Sequence, residues 1–85
     1  MNINKGWSLK NDGLYRAFEF ENFVQAFDFL KEVAKVSEEQ NHHPRIFNEY
    51  NKVELTLRTH EENNSVGEKD YALAKGIDAI VMAGK

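Results

Sequence analysis

The chain has 85 residues and a formal net charge of −3, and its 11 Lys and Arg are scattered rather than gathered in a basic stripe. Electrostatic binding of nucleic acid is therefore not expected, and with no cysteine, disulfides, thiolate zinc sites and cysteine nucleophiles are excluded. No apolar run approaches the roughly 20 residues that a membrane helix needs, and the first residues, MNINKGW, lack the apolar core of a signal peptide.

Residues 1–85 read as one soluble, cytoplasmic domain with a thin core, the kind that often needs a partner subunit. Six Phe, three Tyr and one Trp argue against disorder. Trp7 and Leu9 alternate with polar neighbours and predict a short first strand. Asn11-Asp12-Gly13 is a turn signal, and LYRAFEFE then alternates, with Leu14, Phe18 and Phe20 on one parity. Asn22 is placed to cap a helix, with Gln25 three residues on. Phe23, Ala26, Phe27, Leu30, Val33, Ala34 and Ser37 follow helical spacing. Phe29 and Val36 lie beside that stripe and widen it, which predicts core packing, subunit contact, or both.

Pro44 disfavours the α conformation at His43, so the helix should finish between Gln40 and His42. Residues 46–50 predict a third strand, with a tight turn at Asn51-Lys52. KVELTLRTH then alternates: Val53, Leu55 and Leu57 face one side, and Glu54, Thr56, Arg58 and His60 the other. The loop EENNSVG precedes a last helix that Ser65 or Gly67 starts. Asp70 suits its first turn, and Leu73, Ala74, Ile77, Ile80 and Val81 form its apolar face. The order β-β-α-β-β-α predicts an α+β fold, a four-stranded antiparallel sheet with helices packed on one face.

The segment EEQNHHPR, residues 38–45, breaks a local rule. Carboxylates near a helix C-terminus are unfavourable by up to about 1 kcal/mol, and such a breach points to a functional site. Glu38 and His42 are four apart and share a face if the helix reaches that far. A carboxylate there would orient the ring and raise its pKa from roughly 6.5, giving a general acid or base near neutral pH. The plainer reading is a solvated surface, which fits Glu39 and Gln40. Two of only three histidines at a forced helix end, and the third at a strand end, favour a shared site. Three histidines could also hold zinc, although neighbouring side chains diverge and no H-E-x-x-H is present. Ser8, Ser37 and Ser65 lack any nucleophile-elbow motif.

Glu38, His42, His43, Pro44, Tyr50, His60 and Asp70, at these intervals, resemble the signature of the pterin-4a-carbinolamine dehydratases. The segments FVQAFDFL, NHHPRIFNEYNKVELTLRTH and EKDYALAKGIDAI resemble that family in order and spacing, from about Gly6 to Ile80. The resemblance implies a dehydratase that needs no metal, cofactor or prosthetic group. It would remove water from the 4a-hydroxytetrahydropterin released by aromatic amino acid hydroxylases, giving the quinonoid dihydropterin of the tetrahydrobiopterin cycle.

His42, His43 and His60 match the family's active-site histidines. Glu38 matches a carboxylate that orients a histidine, Pro44 shapes the pocket, Thr59 belongs to the matching T-H element, and Asp70 is the acidic residue at the rim. His42 and His60 are assigned as proton donors, and His43 as the ring-binding residue that assists as base. Asn41, Arg58 and Lys69 depart from residues common in the family. Homodimers or homotetramers are implied, although many members carry a helix ahead of the position of Gly6 that this sequence leaves no room for. Other implied readings are a non-catalytic dimerisation module, as in animal members that assist a homeodomain transcription factor, or a pterin-binding protein of molybdopterin metabolism.

Overall fold

The computed structural model describes residues 6–10, 12–59 and 66–82. Strands β1 (Ser8–Lys10) and β2 (Gly13–Glu19) form a hairpin, helix α1 (Phe23–Gln40) follows, β3 (Arg45–Glu49) and β4 (Lys52–Leu57) form a second hairpin, and α2 (Glu68–Met82) ends the described chain. The sheet is antiparallel throughout, in the order β1-β2-β4-β3. This is the expected α+β arrangement. Among the described residues no helix is long and apolar enough to cross a membrane.

Alternation decides which sheet face is covered. Leu14 lies opposite Leu57, and Val53, Leu55 and Leu57 project with it; all four are fully buried. Ala26, Phe29, Leu30 and Val33 of α1 and Leu73, Ala74, Ile77 and Ile80 of α2 cover them. Each large apolar side chain buried in this way stabilises the fold by about 1.5–3 kcal/mol before entropy is counted. The helices approach closely at Gly76, where a Cβ would lie 2.8 Å from Val36 and 2.9 Å from the Gln40 amide. Asp78 of α2 accepts from Trp7 Nε1 at 2.8 Å and from Arg16 at 2.9 Å, which ties the first hairpin to the last helix.

Asn22 caps α1 as expected, accepting from the Gln25 amide at 2.9 Å. The reciprocal arm of the box goes one residue earlier, from the Glu21 amide to the Gln25 side chain. The buried stripe is rotated from the expected one. Phe29 is 1% exposed, whereas Phe23 and Phe27 stand about half exposed and Ala34 lies on the surface. The residues at 26, 29, 30, 33 and 37 obey helical spacing as well as the expected set does. Two aromatic neighbours on the β2 side of the core break the tie: the Phe29 ring packs 4.8 Å from Phe18 and 5.1 Å from Phe20. Phe29 is therefore core rather than a surface for association.

The second hairpin also differs by one residue. Glu49 pairs with Lys52, so the turn is Tyr50-Asn51, not Asn51-Lys52. Tyr50 takes a left-handed conformation with φ 53°, a cost offset by ties around the turn. Asn51 bonds Phe20 through backbone and side chain, and Asn48 donates to the Lys52 carbonyl at 2.9 Å.

Candidate active site

The site grows from the way α1 ends. Asn41 adopts φ 53° and ψ 43°, the left-handed conformation that Asn tolerates better than most residues. The Asn41 amide donates to Glu38 and the His42 amide to Ser37, at 3.3 and 3.0 Å, closing a Schellman motif. The chain then leaves the helix axis. Pro44 keeps His43 out of the α region, so His42 and His43 lie on non-helical backbone where neighbouring side chains diverge.

The divergence exchanges the expected partners. His42 turns inward, and its Nε2 meets Asp70 Oδ1 at 2.6 Å, 28 residues away. His43 turns outward, and its Nε2 meets Glu38 Oε2 at 2.7 Å. Glu38 thus contacts His43 rather than His42, because the helix stops before residue 42 and the four-residue relation is lost. The two pairs differ in surroundings. The side chains of His42 and Asp70 are 13% and 0% exposed, those of His43 and Glu38 57% and 77%.

Asp70 is buried, not at a rim. It lies in the first turn of α2, where Gly67 occupies the capping position and its carbonyl accepts from the Asp70 and Tyr71 amides. Asp70 Oδ2 accepts from the Gly67 amide at 2.9 Å and from Thr59 Oγ1 at 2.8 Å. Two donors and the His42 ring nitrogen thus meet one carboxylate at a helix N-terminus, the end that favours negative charge. No buried side-chain nitrogen or oxygen among the described residues lacks a partner.

Thr59 is 2% exposed, and Pro44 is half-buried. His60 lies outside the described residues; Thr59, its covalent neighbour, bonds the carboxylate that holds His42. The His42–Asp70 link was not legible in local spacing, but half of its setting was. Alternation places Thr59 on the inward parity of Leu57, two residues past the end of β4.

Among the described residues no group of three or more His, Cys, Asp or Glu could hold a metal ion. A cleft of about 750 Å³ lies toward the other end of α1, between the end of β2 and residues 25–32. Glu19, Glu21, Asp28 and Glu32 line it, and it touches neither His42 nor His43, so size alone does not mark the chemistry.

The sequence profile of the family described as pterin 4 alpha carbinolamine dehydratase matches residues 1–80. A Sinorhizobium fredii protein provisionally named for that dehydratase is 45% identical over 76 residues, covering 87% of this chain and 71% of the relative. One from Paraburkholderia xenovorans, named likewise, is 47% identical over 77 residues, 88% of this chain and 79% of the relative. The crystal structure of a transcriptional coactivator/pterin dehydratase from Brucella melitensis superposes with a TM-score of 0.83 at 40% identity, covering 89% of this chain and 82% of that one. A pterin dehydratase-like protein identified as a RuBisCO assembly factor in the α-carboxysome superposes at 0.75 with 29% identity, covering 96% and 94%. The expected kinship therefore stands on fold and sequence together: this chain belongs to the pterin-4a-carbinolamine dehydratase family.

Proposed function

We propose that the protein is a dehydratase that removes water from a 4a-hydroxytetrahydropterin to give the quinonoid dihydropterin, in support of tetrahydrobiopterin recycling after an aromatic amino acid hydroxylase. The observation that carries this reading is the 2.6 Å contact between the half-buried His42 and the buried Asp70. An interaction surface has no use for an imidazole held by a buried carboxylate that the Thr59 hydroxyl and the Gly67 amide also hold.

The hydroxyl on the saturated ring carbon leaves poorly as hydroxide and well as water. A protonated imidazole donates to that oxygen as the C–O bond breaks, and a second imidazole accepts the ring N–H proton as the quinonoid system forms. The balance is the loss of one water, with no electron transfer. Each proton transfer by a positioned side chain contributes typically about 10²–10⁴-fold. His42, His43 and His60 supply the imidazoles, with Pro44 directly after the first two in the chain; neither cofactor nor metal is needed.

The test uses freshly generated 4a-hydroxytetrahydropterin and follows the quinonoid product by absorbance. Wild type should accelerate its formation. His42→Ala, His43→Ala and His60→Ala are compared, with a loss of roughly 10²-fold or more for at least one of them. A wild-type rate equal to that of buffer removes the reading.

A second reading, self-association, has its own support and is compatible with the first. Strand β3 is a sheet edge with Ile46 and Phe47 about half exposed. Its sequence RIFNE is self-complementary in charge. Antiparallel pairing with a second copy about Phe47 sets Arg45 opposite Glu49 at both ends. Phe23 and Phe27, ring centroids 5.5 Å apart, form a second exposed apolar patch on α1. These two surfaces support assembly as a homodimer or homotetramer, which we place in the cytoplasm as part of the same proposal.

A further inference from the structure

Both described histidines are engaged through the same ring atom. His42 Nε2 lies against Asp70, and His43 Nε2 against Glu38. Around Asp70 the direction of donation can be read from the network. Oδ2 already accepts from the Thr59 hydroxyl and the Gly67 amide, and an ionised carboxylate offers only acceptors. The ring nitrogen facing Oδ1 must then be the donor. Neutral His42 carries its hydrogen on Nε2 and its lone pair on Nδ1. The same argument applies to His43 beside Glu38, with one difference. Glu38 is 77% exposed, whereas Asp70 is fully buried and fixed by two further bonds.

We infer that Asp70 is the positioning residue that selects the Nε2–H tautomer of His42, so that Nδ1 is the atom that exchanges the proton with substrate. This inference rests on the dehydratase reading for what receives the proton; the tautomer itself belongs to the free protein. Glu38 does the same for His43, but weakly. The asymmetry follows from exposure. A contact open to water competes with solvent and holds its partner weakly, whereas a desolvated charge-assisted bond within a satisfied network is stronger. Asp70 also accepts from α2's capping residue, so the start of α2 and the working ring are held by one carboxylate.

The experiment is ¹⁵N NMR of the imidazole rings in the uniformly labelled full chain, without substrate, at a pH where the rings are neutral. His42→Gln identifies the His42 signals. Wild type should show a protonated-type shift at Nε2 of His42 and an unprotonated-type shift at Nδ1. Asp70→Asn can turn its amide nitrogen toward the ring, and should mix or invert the His42 tautomer. It should lower kcat by roughly 10²-fold or more while KM moves only a few-fold. Glu38→Gln should leave the His42 tautomer unchanged, since its contact is with His43.

A His42 hydrogen on Nδ1 in wild type overturns the inference, even if dehydration is fast. Nε2–H on His42 with no dehydratase activity overturns the functional reading and leaves the assignment of Asp70 intact. The wild-type spectrum decides the tautomer whether or not the Asp70 variant folds. An Asp70→Asn variant that folds and keeps both tautomer and kcat overturns the positioning role.

Discussion

His43 contacts Glu38 at 2.7 Å in solvent, while one residue earlier His42 contacts Asp70 at 2.6 Å out of it. Equal lengths do not mean equal energies. Glu38→Gln should change unfolding free energy by no more than about 1 kcal/mol, because an exposed pair gains little over hydration. Urea denaturation monitored by Trp7 fluorescence measures this, and a loss beyond about 2 kcal/mol would place Glu38 in the buried network instead.

Thr59→Val should be worse than its small change in shape suggests. It removes the hydroxyl that donates to Asp70 and leaves a buried carboxylate one donor short. The expected cost is about 1–3 kcal/mol, with Thr59→Ser recovering most of it. Equal stability of the Val and Ser variants would show that the hydroxyl is dispensable.

Asn41 tests the turn that separates the two histidines. A Cβ-bearing residue without a local hydrogen-bonding side chain pays about 1–2 kcal/mol in the left-handed region. Asn41→Ala should therefore destabilise by about 1 kcal/mol, and Asn41→Gly should be neutral or stabilising. Identical midpoints for the two variants would mean that the left-handed conformation is not kept in solution.

Edge pairing predicts a charge-swap pattern. Glu49→Arg sets like charges against Arg45 of the second copy, and should weaken self-association several-fold in sedimentation equilibrium. Arg45→Glu combined with Glu49→Arg should restore it. An assembly indifferent to both variants would assign association to another surface, with Phe27→Ser as the comparison.

Tyr15 provides a titration. Loss of solvation raises its phenol above the usual 10.0, and the Glu54 carboxylate adds by charge and by a hydrogen bond. Because the folded-state value is raised, the neutral phenol's contribution to stability is complete below pH 10 and is lost as the pH climbs through the folded-state value. Absorbance titration of wild type against Tyr15→Phe isolates this group. Glu54→Gln should bring the value down only in part, since desolvation is the larger cause. Full return to 10.0 would reverse that order.

The strand alternation, the Asn22 cap, the helix end before Pro44 and the apolar face of α2 were legible because each depends on residues a few positions apart. Spacing and local sterics act on those directly. That a carboxylate and a histidine meet where α1 ends was legible for the same reason. Which residues paired was not. Glu38 is close to His42 along the chain, yet one left-handed residue, Asn41, turns His42 toward Asp70 and leaves Glu38 to His43. The buried side of α1 was likewise open until Phe18 and Phe20 engaged Phe29. Local rules determine where an element starts, stops and alternates; which carboxylate meets which ring depends on where α2 docks, and only packing against the sheet sets that.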